Sequence, residues 1–362
     1  MPVIRTPGVY VEELNLQSKP IENIDLSATA FIGETVLGAE GRPVEVKCWN
    51  DFITNFGAAS KIGPSVSLFF QNGGRKAYVI KASRRSNGIL DVQKTLEGLE
   101  QVAGVGIITA PGEASPEMQQ ALIDHCERMH HFAILDGAAG ADNHAVKEQR
   151  TELHSAKGSA ALYHPWLKIN DPSKGVVLVP PSGAIAGIYA RSDLDRGVHK
   201  APANLVVKGI LGPERSISSA ESEGLSTAGV NVVRTLPGRG TRVWGARTIA
   251  DDPEWKYVGV RRTIDLIHSS ITEGTKWAVF EPNDQRLWSK VSVAITDYLE
   301  RAWRDGVLMG ANPQEAFFVR CDRSTMTQND IDEGRLVVLI GVAVQMPAEF
   351  VTIHVVQRTG KG

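Results

Sequence analysis

Between about residue 28 and residue 200, short apolar runs alternate with stretches of helical spacing. That alternation restricts the chain to a sheet covered by helices. AFIGET (Ala30–Thr35) and RKAYVIKAS (Arg75–Ser83) read as strands. ILDVQKTLEGLEQV (Ile89–Val102) then sets Leu90, Val92, Leu96 and Leu99 at helical intervals. VGIITAPG (Val105–Gly112) is a buried strand ended by a turn. A helix follows over Ser115–Met129, with Ser115 as N-cap and Pro116 at its first position. The pattern continues with a strand at His131–Gly137, a helix within His144–Ser155, a strand at Ser159–Ile169, and the apolar run VVLVPPSGAIAGIYARSD.

From about residue 200 the texture changes to loops and short strands. HKAPAN (His199–Asn204) and PGRGTRVWGARTI (Pro237–Ile249) carry the glycines and prolines of a turn-rich segment. A hairpin is expected between RVWGARTI and WKYVGVRR, with DDPE as its turn, followed by a helix at about Thr263–Glu273. LWSKVSVAITDYLERAW places Leu287, Val291, Ile295, Tyr298, Leu299 and Ala302 on one stripe, stopped by Gly306. The remainder is strand-rich: Ala316–Asp322, Arg335–Met346 and Ala348–Gln357. The expected fold is therefore a mixed α/β and α+β chain of two domains, at 28–200 and 201–345. Extended strand arms flank them at 1–27 and 346–362.

The search for chemistry finds little. There is no GxxxxGK[ST] phosphate loop and no GxSxG nucleophile elbow. Arg239 and Arg242 sit in a glycine loop, where they serve either to hold a phosphate or to make salt bridges within or between chains; with Trp244 they form a candidate interface loop. His130 and His131 are adjacent, so one metal does not suit both. Asp330, Asp332 and Glu333 lack the spacing of a calcium loop and read as capping residues of a polar hairpin or loop. Asp136, at the end of a buried strand, is where an α/β enzyme places a carboxylate, but it is equally where a turn begins. Cys48, Cys126 and Cys321 are too scattered for a disulfide framework or a zinc site. No catalytic residue, cofactor or metal ligand is expected. Lys plus Arg number 39 against 41 Asp plus Glu, so no basic field points to nucleic acid. The opening MPVIRTPG has no secretory pattern, and the apolar run Gly175–Ala190 is broken by Pro180 and Pro181, so no membrane insertion is expected.

The two ends are strand-like. In GVYVEEL, Val9 and Val11 face one way and Tyr10 and Glu12 the other. In EFVTIHVVQ, Val351, Ile353 and Val355 oppose Phe350 and its alternates. A strand needs a partner for its main-chain groups. The N-terminal one folds back on its own sheet, frays, or adds to the sheet edge of another copy. Periodicity leaves these three open.

PGVYVEE, GVHKAPAN (Gly197–Asn204), NVVRTLPGRGTRVWGARTI (Asn231–Ile249), FEPNDQRLWSKV and the tail AFFVRCDRSTMTQNDIDEGRLVVLIGVAVQMPAEFVTIHVVQ strongly resemble the contractile tail sheath family, densely from about residue 195 onward. The resemblance implies a structural, non-enzymatic subunit of a phage tail, an R-type pyocin or an extracellular phage-tail-like particle. Six copies would make a ring, and rings would stack helically around an inner tube, with a baseplate and terminator or cap proteins as further partners. Its terminal arms would reach into neighbouring copies, and its central segment would face outward. Such a subunit would assemble in the cytoplasm and leave as part of a particle or virion. Pro20 on one side, and Gln345 and Pro347 on the other, are the expected hinges. The rival expectations are an α/β enzyme with a site near Asp136 and a single-ring tail terminator or adaptor.

Overall fold

A computed structural model describes residues 20–86 and 88–349. The chain forms two compact units: Asn23–Ser269 with the segment from Val344 onward, and Ser270–Ala343 with the segment up to Glu22.

In the larger unit the elements run β1 (Ala28–Gly33), β2 (Val44–Val46), α1 (Trp49–Phe56), α2 (Gly63–Gln71), β3 (Ala77–Lys81), α3 (Gln93–Leu99), β4 (Val105–Thr109) and α4 (Pro116–Met129). They continue as β5 (Phe132–Asp136), α5 (Asn143–Thr151), β6 (Ala160–His164), β7 (Leu167–Asp171), β8 (Gly175–Val179) and α6 (Ser182–Arg196). The last are β9 (Gly212–Pro213), α7 (Ser219–Thr227), β10 (Val230–Leu236), β11 (Gly240–Trp244) and α8 (Val258–Gly274), within which the boundary between units falls. The smaller unit holds α9 (Gln285–Arg304), α10 (Pro313–Ala316), β12 (Phe317–Arg320), α11 (Gln328–Asp332) and β13 (Leu339–Val342).

The main sheet has eight strands in the order β11-β10-β6-β5-β4-β1-β3-β2. Its interior pairs are parallel, and β2 and β11 close the ends antiparallel. Strands of a parallel sheet are buried on both faces, which is why VGIIT, FAILD and AALYH are buried at every position. Phe31, Ile107, Phe132 and Tyr163 enter one core, while Ala30, Ile108, Ala133 and Leu162 enter the other. The alternation thus supplies two hydrophobic layers from one set of strands.

Several expectations need correction. Ser159–Ile169 is two strands, because Pro165 has no N–H to donate to a ladder. β6 stays in the main sheet, and β7 joins a separate antiparallel sheet in the order β8-β7-β9. The hairpin expected between RVWGARTI and WKYVGVRR is reduced to one bridge, Arg247 to Tyr257. β11 pairs with β10 instead, through the tight turn at PGRG, where Gly238 and Gly240 take φ of 69° and 73°. VGVRR opens α8. The boundary expected near residue 200 falls inside the larger unit, because β10 and β11 complete the sheet begun by β1. Of Arg335–Met346, only Leu339–Val342 is strand. The α9 stripe carries Leu287, Val291, Ile295, Tyr298 and Leu299 as buried residues, and Asp284 caps the helix by accepting from the Arg286 and Leu287 N–H groups, both at 2.9 Å.

Helix α6 approaches α2 closely through small residues. A methyl group on Gly183 would lie 2.2 Å from the Ser65 carbonyl oxygen, and one on Gly187 would lie 2.3 Å from that of Phe69. Gly187→Ala should therefore lower stability by about 1–3 kcal/mol, the usual cost of overpacking. A urea titration reads this as an earlier midpoint, and an unchanged midpoint would mean the helices separate at no cost.

Candidate functional site

Asp136 is fully buried at the end of β5, and both its oxygens are occupied. The Ser182 N–H donates to one oxygen at 2.8 Å; the Gly112 N–H and the Ser182 hydroxyl donate to the other at 2.9 and 2.7 Å. Ser182 is the first residue of α6, so the carboxylate ties a helix N-terminus to the sheet. The Asp136 carbonyl is taken by the side chains of Gln119 and Gln149 at 2.9 and 3.0 Å. Burial raises the pKa to about 6 despite these bonds. With both oxygens engaged, the carboxylate clamps the start of α6 to the end of β5 and to the loop after β4.

The glycine loop of the sequence analysis is the β10–β11 turn. Arg242 donates to the Asn204 carbonyl at 2.7 Å and the Arg239 carbonyl at 2.9 Å, and Arg239 reaches the Asn204 side chain at 3.5 Å. Among the described residues neither arginine makes an ion pair. Trp244 lies two residues along β11 and is exposed.

In the smaller unit, Thr325–Arg335 folds into α11, closed by a capping box between Thr327 and Asp330. The Thr327 hydroxyl and N–H, and then Arg335, hold Asp330 down to about 2. Asp332 accepts from Gln328 at 2.8 Å on the exposed face of this short helix. These carboxylates are occupied in local structure.

β12 and β13 are an antiparallel pair of four residues each, in register Phe317 to Val342 through Arg320 to Leu339. No third strand joins them among the described residues. Phe318 and Leu339 are 50% and 49% exposed. A lone two-stranded ribbon of this length is marginal in water; just past β13 the Ala343 carbonyl accepts from the Met309 N–H at 2.7 Å, and among the described residues no strand covers the outer edges.

The described chain is anchored near both of its outer limits. Ile21 is buried, and its carbonyl accepts from Arg301 at 2.6 Å. Pro20 lines an open cleft of about 340 Å³ with Ala294, Asp297, Glu300, Arg301 and Arg304. At the other end, Glu349 takes a two-pronged bond from Arg247 at 2.8 and 2.6 Å and a third from the Tyr257 hydroxyl at 3.1 Å. Burial pushes its pKa up, but the Arg247 and Tyr257 bonds outweigh that and leave it lowered. Gln345 and Pro347 are half-buried just before it. Sequence reasoning missed Glu349 and Arg247, because a surface Arg–Glu pair 102 residues apart leaves no periodic trace. Val9, Tyr10, Val11, Glu12, Phe350, Val351, Ile353 and Val355, expected as arm strands, lie outside the described residues.

The model of the phage tail sheath protein central domain matches residues 87–249, and that of the phage tail sheath C-terminal domain matches residues 250–358. The chain belongs to the phage tail sheath family. A putative prophage major tail sheath protein of Pseudomonas aeruginosa strain UCBPP-PA14 is 28% identical over 213 residues, 57% of this sheath chain and 53% of that relative. The tail sheath protein of Burkholderia phage BcepMu is 28% identical over 214 residues, 55% of this chain and 43% of the relative. The match thus spans about half the length of these relatives. Two solved structures match throughout. The sheath complex of the extracellular contractile injection system PVC, in its contracted state, is 32% identical, with TM-score 0.83 over 99% of both chains. The contracted helical sheath of the anti-feeding prophage is 28% identical, with TM-score 0.80 over 98% of this chain and 100% of that one. Among the described residues no helix is long and apolar enough to cross a membrane.

Buried groups set the pH response of the larger unit. Burial, chiefly, lowers His125, His131 and His164 from 6.5 to about 4. A histidine kept neutral when folded contributes stability above pH 6.5, and that contribution is lost as pH falls towards 4. Each is worth at most about 3 kcal/mol at 1.36 kcal/mol per pKa unit. Asp136, raised from 3.8 to about 6, acts oppositely and regains a similar amount as pH falls through that window. Burial also lowers His199 and His268 and raises Asp193, so five lowered histidines stand against two raised carboxylates, and the urea midpoint should fall between pH 7 and pH 5. His164→Leu should make the pH dependence shallower; an identical pH slope in that variant would contradict the assignment.

Proposed function

We propose that the chain is the repeating subunit of a contractile sheath, stacked as six-membered rings around an inner tube on a baseplate and closed by terminator or cap proteins. The observation that carries this reading is the match over 99% of both chains to a sheath subunit in a contracted particle. A second solved relative is an anti-feeding prophage baseplate, which supports a baseplate partner. The subunit would assemble in the cytoplasm and act in a released particle or virion tail, contributing rigid bodies and linkage rather than chemistry.

The linkage is strand exchange. The bare edges of β12 and β13 accept the arms of neighbouring copies, which add through main-chain hydrogen bonds with Phe318 and Leu339 beneath them. Each bond contributes only about 0.5–1.5 kcal/mol net, but many linked in parallel hold firmly, because each further contact is effectively intramolecular. The arm segments are the tethers. The chain passes between its two units after Glu22, after Ser269 within α8, and after Ala343; the first and last of these lie close to Pro20 and to Gln345 and Pro347. Those residues absorb the backbone change while the packed units move as bodies. The extended sheath is kinetically trapped until the baseplate releases it.

A chain lacking residues 1–14 should keep the wild-type circular dichroism spectrum and thermal midpoint yet form no sheath-like tubes by electron microscopy. Normal tubes from that chain would end the strand-donation account.

A further inference from the structure

The β10–β11 hairpin carries an electrostatic anomaly. Arg234 and Arg242 stand directly opposite one another in the ladder. Like charges so placed destabilise a sheet. Arg239 adds a third guanidinium in the turn that joins the strands. All three bond to neutral acceptors: Arg234 to the Ser219 hydroxyl at 3.3 Å, and the other two to Asn204 and the backbone. The Arg234 Nε is buried without a partner. Trp244 lies two residues beyond Arg242, on the same face of the strand, and is exposed. Arginine and tryptophan together on an accessible surface are the composition of a protein interface.

The opposite charge is found at the other end of the same sheet. β10 runs parallel to β6, so the PGRG turn lies at the carboxyl ends of these strands. The segment Asp251–Glu254 lies at their amino ends, because the Ile249 N–H donates at 3.0 Å to Ala160, the first residue of β6. Asp251, Asp252 and Glu254 are all exposed there. Asp251 is paired with Arg150 at 3.0 Å, while Asp252 only caps the turn by accepting from the Glu254 N–H at 2.9 Å. Among the described residues, Asp252 and Glu254 have no cationic partner. An arginine cluster at one end of β10 and β11 and two carboxylates without cationic partners at the other allow a head-to-tail contact, and a head-to-tail contact that does not close produces an open helical array.

We infer that the Arg234–Arg239–Arg242 face, with Trp244, docks on the Asp251–Glu254 loop of a second copy of this chain. The inference rests on the polymer reading above and names one of its contacts. The main-chain linkage of the arms has no charge selectivity, whereas this contact sets register between copies and weakens with salt.

The test uses the full chain and two charge changes: Arg239→Glu with Arg242→Glu, and Asp252→Asn with Glu254→Lys. The asparagine keeps the turn capped. Tube yield is counted by negative-stain electron microscopy, and circular dichroism and thermal melts report folding. Each altered chain should melt as wild type does and form tubes about tenfold less well, the effect of losing roughly 1.4 kcal/mol per contact. The chain carrying all four changes should recover most of the yield. Wild-type yield from either altered chain, or a four-change chain no better than its parents, would overturn the docking. A wild-type chain that forms no tubes under any condition would instead overturn the polymer reading on which the docking rests.

Discussion

Every main-chain N–H and C=O in a strand needs a partner, and the chain meets that demand in two different ways. The eight-stranded sheet meets it internally: parallel ladders, helices over both faces, and antiparallel strands at the ends. Among the described residues the ribbon of β12 and β13 leaves it open, with two short strands, no third strand beside them, and the half-exposed Phe318 and Leu339. The first arrangement makes a body that keeps its shape when loaded. The second has the form of a socket, and the proposed sheath links such bodies through such sockets.

The rigid part is rigid for identifiable reasons. Glycines 183 and 187 let α6 lie against α2 at backbone distance. The buried Asp136 fastens the start of α6 to the end of β5 and the loop after β4. Arg262, fully buried, makes a two-pronged pair with Asp193 at 2.8 and 2.7 Å and stacks over Tyr189, joining α8 to α6. A buried pair of this kind defines geometry more than it adds net stability. In a machine whose subunits are proposed to move as bodies, that definition is what the mechanics require. Ile21 under Arg301 and Glu349 under Arg247 are fixed to their own units, and the proposed tethers would begin beyond them.

Much of this was legible in the sequence because it is periodic. The strands at Val105–Thr109 and Phe132–Asp136, and the stripe of α9, follow from apolar spacing alone. The family resemblance came from long local motifs that need no structure to read. What stayed hidden depends on pairing between distant segments. β11 turned back on β10 rather than forward on Tyr257, and residues 230–244 joined a sheet begun two hundred positions earlier, so a boundary drawn by texture near residue 200 missed the larger unit. The role of Asp136 was ambiguous for the same reason, since its partners Gly112 and Ser182 are remote in the chain. The Arg247–Glu349 clasp and the Arg234–Arg242 juxtaposition have no signature short of the ladder register itself.

The central claim is that the β12–β13 ribbon is completed by other copies. A helical reconstruction of assembled particles by electron cryomicroscopy at side-chain resolution tests it most directly. The account predicts a sheet in which β12 and β13 are flanked by strands whose density traces to residues near Val9–Glu12 and Phe350–Val355 of neighbouring subunits. Bare edges on that ribbon, or arms that return to the sheet of their own chain, would contradict it.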